Sequence, residues 1–141
     1  MDLGKARVGV ALSDELRLLA HPRPPLDGRN RKALLASIAA LAREEGVSLF
    51  LVGLPLDMTG GAGSASRKAE VFAQEVANAS GCEVHLVDER LTTVEAEARF
   101  REQGLARHEM RSRIDGAAAA VLLQGWLDAR AAKRAAKRAK R

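Results

Sequence analysis

Acidic residues stand at three separated places where a fold could bring them together. Asp2 lies two residues before Gly4, where a first strand would end. Asp88 and Glu89 stand at the exit of the run Glu83-Val84-His85-Leu86-Val87. Asp115 opens the last apolar stretch, and Asp115, Ala119, Leu122 and Trp126 follow one helical register, which points the carboxylate along the face that packs on a sheet. An acid on a buried stripe costs several kcal/mol unless something compensates it. Carboxylates from two strand tips and one helix start form a donor set for a hard cation such as Mg²⁺ or Mn²⁺, which shares its coordination with waters and phosphate oxygens. In phosphoryl chemistry two such ions ~3.5–4 Å apart activate the attacking water and stabilise the leaving oxygen. Each acid also has a plainer reading. Asp2 is then a turn acid, Glu89 a strand-end partner of Arg90, and Asp115 a charge favoured at a helix N-terminus.

The elements that must position these acids follow from apolar spacing. Val8–Leu12 reads as a strand, and residues 18–28, with Pro22, Pro24 and Pro25, as a broken edge strand. Leu34, Leu35, Ile38, Leu41 and Ala42 recur at helical spacing before Gly46. Ser48–Val52 is continuously apolar, the pattern of a parallel strand buried on both faces, and Pro55 ends it. A glycine-rich loop over 57–66 precedes a helix carrying Ala69, Phe72, Ala73 and Val76, which stops near Gly81. Residues 83–88 form another strand. Thr92-Thr93-Val94-Glu95 is a capping box for a helix to about Gln103-Gly104, and a last helix from Ile114-Asp115 fades into an Ala/Lys/Arg tail. Strand–helix alternation in the second half predicts an α/β fold with parallel strands.

Composition bounds the function classes. The 141 residues suffice for one domain, predicted as 1–130 with a basic tail over 131–141. A single cysteine, Cys82, excludes an internal disulfide framework, and no apolar run approaches the ~18 residues of a membrane span. A reducing, cytoplasmic setting follows as the expectation. The formal charge of +5 belongs to the tail: residues 133–141 hold six cations and no anion, and removing them leaves 17 basic against 18 acidic residues, a net of −1. Lys133, Lys137 and Arg141, with Arg134 and Arg138, keep one helical side cationic. This is either a solubilising helix end or a sequence-independent phosphate contact. His21, His85 and His108 share no ligand spacing. With aromatics at 3%, stacking on single-stranded bases has no platform.

Four motifs resemble one family. Asp2-Leu3-Gly4-Lys5-Ala6-Arg7-Val8-Gly9-Val10-Ala11, Val52-Gly53-Leu54-Pro55-Leu56, Asp88-Glu89-Arg90-Leu91-Thr92-Thr93 and Asp115-Gly116-Ala117-Ala118-Ala119 are similar, in order, to the YqgF (RuvX) family, over residues 1–128. The resemblance implies an RNase H-like fold: a five-stranded mixed sheet of order 3-2-1-4-5 flanked by helices. It implies a Mg²⁺- or Mn²⁺-dependent nuclease acting on structured nucleic acid, in 5′-end maturation of pre-16S rRNA during ribosome biogenesis or in Holliday-junction resolution. Asp2, Glu89 and Asp115 would be the catalytic, metal-binding carboxylates, with Asp88 in support. Arg7 and Arg90 would contact phosphates, as would Lys133, Arg134, Lys137 and Arg138 of the tail.

The sequence departs from the family pattern at three points. Only Met1 precedes Asp2, so the first strand is expected to be truncated, with the true start upstream. Gly53-Leu54-Pro55 stands where related nucleases carry an acid at the fourth strand's end. Asp2 and Glu89 then lie two strands apart, ~9–10 Å between backbones. Ala62 occupies a loop position where relatives carry Glu. Two other functions compete with hydrolysis: a catalytically inactive RNA-binding module, and a nucleotide-binding reading of Asp2-Leu3-Gly4, for which one domain of 141 residues is too small.

Overall fold

Asn30 starts the first helix by accepting a hydrogen bond from the Ala33 amide through its side chain, and Gly46 ends it in the left-handed conformation. Between these caps α1 (Arg31–Glu45) buries Leu34, Ile38 and Ala42, the stripe predicted from spacing. The computed structural model describes residues 1–55, 63–89 and 114–140, with side chains of the last segment from Gly116 onward. In chain order the other elements are β1 (Asp2–Leu3), β2 (Arg7–Ser13), β3 (Ala20–Asp27), β4 (Leu49–Leu54), α2 (Ser64–Ser80), β5 (Glu83–Asp88) and α3 (Ile114–Ala139). The expected helix over 92–104 lies outside the described residues.

The strands form two sheets. One has the order β1-β2-β3, all antiparallel, with the proline-bearing β3 at its edge and a register shift between Val8 and Val10. In the other, β4 and β5 run parallel from Leu49↔Glu83 to Leu54↔Asp88. The expected continuous five-stranded sheet is therefore resolved as two. The reason lies in β1, whose two residues are too few for a ladder on both sides. What joins the sheets is Met1: its amine donates to the Leu51 carbonyl at 2.6 Å, and its carbonyl accepts from Gly53 N at 3.0 Å. Such a pair is the pattern of parallel neighbours and sets Asp2 alongside Gly53.

The sheets are covered on both faces. Leu34, Ile38, Phe72 and Val76 from α1 and α2 pack with Val8, Val10, Phe50 and Val52 in the main core. On the other face Ala120, Val121 and Leu127 of α3 pack with Ala20, Ala11, Leu123 and Trp126. Gly116 lets the first turn of α3 lie against β3, since a Cβ there would meet the Arg23 carbonyl oxygen at 2.7 Å. Farther along α3 the fully buried Gln124 straps the β2–β3 hairpin down. Its Oε1 accepts from Ala20 N at 2.9 Å, and its Nε2 donates to the Leu18 carbonyl at 2.9 Å and to Asp128 Oδ1 at 3.0 Å.

Two boundaries differ from the pattern-based reading. Helix α2 begins at Ser64 rather than after residue 66, because Gly63 serves as its N-cap and the Ser66 hydroxyl, buried in the first turn, donates to the Pro55 carbonyl. Helix α3 does not fade where its apolar pattern does but continues to Ala139. Alanine, lysine and arginine are strong helix formers, so backbone propensity carries the helix past its packed part.

Candidate active site

Gly4 fixes the first acid. Its amide donates to the Arg7 carbonyl at 2.9 Å, and a Cβ there would stand 2.7 Å from that oxygen. The turn from β1 into β2 is thus held tight and pairs Asp2 with Gly9, leaving Asp2 half-buried beside β4. The second acid comes from the end of β5. Asp88 closes the β4–β5 ladder opposite Leu54, and Glu89 follows it, both half-buried.

Glu89 does not extend outward from its strand. It leans back across β4, so that its Oε1, Cγ and Cδ lie 2.7, 3.2 and 3.3 Å from where a Cβ of Gly53 would be. That brings it into hydrogen-bonding contact with Asp2. The separation of two strands between the backbones is closed by one side chain crossing a residue that has none. Burial, the Asp2 charge, the hydrogen bond to Asp2 and the Asp88 charge, in that order, push the Glu89 carboxyl above its ordinary value. Each of these influences favours the protonated form of Glu89.

Two carboxyl groups in contact offer oxygens to a cation. The donors are hard oxygens, only partly shielded from solvent, and Asp88 adds negative charge, a set that fits Mg²⁺ or Mn²⁺. Among the described residues no group of three or more His, Cys, Asp or Glu side chains forms a cluster able to hold a metal. Asp115 is the second residue of α3, whose first turn lies against Arg23 of β3, next to Val10 of β2; its side chain lies outside the described residues.

The predicted cations fall in different places. Arg7 is exposed at the start of β2, paired across the ladder with Asp27. The Asp27 carboxyl is lowered to about 2, chiefly by its hydrogen bond from Arg29, with the Arg7 charge a smaller contribution. Arg90 lies outside the described residues. Lys133, Arg134, Lys137 and Arg138 are all exposed on the distal part of α3, which places Lys133 ~27 Å along the helix from Asp115. Among the described residues His21 and His85 join no metal-binding cluster; His85 contacts Glu83 at 2.7 Å.

The family described as RuvX, Holliday junction resolvase, matches residues 1–129, which include every strand above and both members of the carboxyl pair. The chain belongs to the RuvX family. Among RuvX relatives, a protein of Anaeromyxobacter sp. (strain Fw109-5) is 53% identical over 130 residues, covering 92% of this chain and 95% of its own length. One from Anaeromyxobacter dehalogenans (strain 2CP-1 / ATCC BAA-258) is 45% identical over 131 residues, 93% of this chain and 96% of its own. One from Chloroflexus aurantiacus (strain ATCC 29366 / DSM 635 / J-10-fl) is 39% identical over 130 residues, 92% and 85% respectively. All three bear the name "Putative pre-16S rRNA nuclease".

Sequence reasoning located both members of this RuvX carboxyl pair but missed Gly53, which lets them meet. The signal was present: a glycine inside an otherwise apolar strand marks a close approach by another group.

Proposed function

We propose that this chain is a divalent-metal-dependent nuclease that hydrolyses phosphodiester bonds of structured RNA in pre-16S rRNA maturation. The observation that carries the reading is the Asp2–Glu89 contact across Gly53, two carboxyl groups held together at a partly open sheet edge. Family membership and the relatives' shared name supply the substrate class. In this reading the five strands work as one sheet of order 3-2-1-4-5, with Met1 as the seam between its halves. Asp2 and Glu89 would hold the cation, with Asp115 on α3 and Asp88 adding charge beside them. The chemistry such a cation would supply is polarisation of the phosphate and activation of water. The Gly4 turn fixes Asp2, and Gly53 leaves room for Glu89 to reach it. Arg7 and Arg90 contact backbone phosphates near the cut.

The Lys133–Arg138 stretch adds a second phosphate contact ~27 Å or more from Asp115 along α3. The domain is then residues 1–130, and the basic segment of α3 is its reach along a duplex. No helix of the described residues is long and apolar enough to cross a membrane. The cytoplasm, where rRNA is processed, is the proposed location.

The family's description makes branched DNA the second reading. Incubating a structured precursor-rRNA fragment and a four-way DNA junction with Mg²⁺ or Mn²⁺ separates the two. RNA cleavage abolished by EDTA and by Asp2→Asn is the expected outcome; preferential cutting of the junction shifts the substrate. Binding of RNA without turnover under either metal would make the chain an interaction module. Activity that survives both EDTA and Asp2→Asn removes the carboxyl pair from the mechanism.

A further inference from the structure

Gly53 is a glycine for which the backbone has no need. Among the described residues only Gly46 and Gly81 are glycines with positive φ, and both end helices. Gly53 sits inside β4, paired with Val87 on one side and donating to the Met1 carbonyl on the other, in a conformation any residue adopts. An interior strand glycine with ordinary φ weakens its strand through lost packing and a larger unfolded-state entropy. Something else must fill the space a side chain would have taken. That occupant is Glu89, with its Oε1 2.7 Å and its Cγ 3.2 Å from the Cβ position.

We infer that Gly53 is a positioning residue of the active site: its missing side chain is the passage through which Glu89 crosses β4 to meet Asp2. The inference rests on the reading of Asp2 and Glu89 as cation ligands, and it assigns this strand position a role of its own. The three nearest atoms to an added Cβ all belong to the Glu89 side chain, and none is backbone. An alanine would therefore be accommodated by moving Glu89, not by moving the strand. The fold would survive, and the carboxyl pair would open. Conversely, an aspartate grown from position 53 would put a carboxylate into the volume Glu89 now fills. Gly53→Asp with Glu89→Ala should then rebuild the pair from the neighbouring strand.

The test uses the full chain and Mn²⁺ alone as probe, with free Mn²⁺ followed by electron paramagnetic resonance. Gly53→Ala should fold and bind Mn²⁺ about 10- to 100-fold more weakly, the range for groups that orient metal ligands. Gly53→Asp combined with Glu89→Ala, which empties that volume, should recover most of that loss, and Gly53→Ala combined with Glu89→Ala should not. Without metal, Asp2→Asn and Glu89→Gln should shift the thermal midpoint non-additively when Gly53 is intact. In the Gly53→Ala background the same two changes should add, since only contacting residues couple. Wild-type Mn²⁺ affinity in Gly53→Ala overturns the inference, as does equal coupling in both backgrounds. Failure of Gly53→Ala to fold also overturns it, because the glycine would then be clearing space for something firmer than a side-chain tip. If the unaltered chain binds no Mn²⁺, the metal reading falls, and the coupling measurement still decides for or against Gly53.

Discussion

The short contact between β1 and β4 has an ionisable group at each end, and the two ends treat theirs in opposite ways. At the carboxyl end Asp2 and Glu89 are half-buried and touch each other. At the amino end the Met1 ammonium is fully buried, donates to the Leu51 carbonyl, and borders a cavity of about 590 Å³. That cavity is walled by the end of β2, the start of β4 and apolar residues of α3, among them Leu122, Leu123 and Trp126. Both groups are driven toward neutrality. Burial and neighbouring acids push the Glu89 carboxyl up, whereas burial pushes the Met1 amine down to about 6. At the carboxyl end neighbouring acids add to the effect of burial, whereas at the amino end the Asp2 charge opposes it.

The sharpest way to break this contrast is at the carboxyl end. Glu89→Gln should lower metal-dependent cleavage by more than about 100-fold, beyond the usual loss for residues that merely orient a metal's ligands. Asp88→Asn, which removes only a nearby charge, should cost far less. Equal losses in a cleavage assay would show that local charge, not the crossing side chain, matters.

At the amino end, in a chain prepared to begin at Met1, the effect is on stability. The Met1 amine titrates near 8.0 when unfolded and about 6 when folded, so between these values the unfolded chain binds the extra proton. Stability should therefore rise with pH from 6 to 8, by about 2–3 kcal/mol from this group, and the penalty is fully present below pH 6. Urea denaturation at both pH values checks it, and acetylating the amine should flatten the rise. Glu89 works in the other direction. Its raised folded value means stability falls as pH climbs past 4.5, and Mg²⁺ or Mn²⁺ should therefore raise the melting temperature more at about pH 7 than at about pH 4.

Between the ends, Gln124→Leu should cost about 1–3 kcal/mol, because Ala20 N and the Leu18 carbonyl lose their side-chain partner. Its measurement is again denaturant unfolding. The smallest effect is expected from removing residues 133–141. The melting temperature should hardly move, while RNA affinity falls and its dependence on salt flattens, as filter binding at two ionic strengths would show.

What was legible in the sequence follows from these differences. Helices α1 and α2 and strands β2, β4 and β5 were written in apolar spacing, because burial on a face leaves a period. Asp2 and Glu89 were legible because each sits beside a turn or strand exit that the residue types mark. Gly53 was legible only as a glycine inside an apolar strand; that Glu89, 36 positions away, fills its space was not. Gln124 was hidden because it stands on an apolar helix face, and its partners lie more than 100 residues earlier in the chain. The division into two sheets depended on the brevity of β1, where one residue's hydrogen bonds replace a ladder.

The buried amine has a practical corollary for anyone preparing this protein. An affinity tag fused ahead of Met1 would replace its amine by an amide and enter the gap that Met1, Val10 and Leu51 help to line. A tag carried beyond the exposed end of α3 meets no such obstacle. Comparing the two preparations by melting temperature would show whether threading that gap harms the protein or helps it.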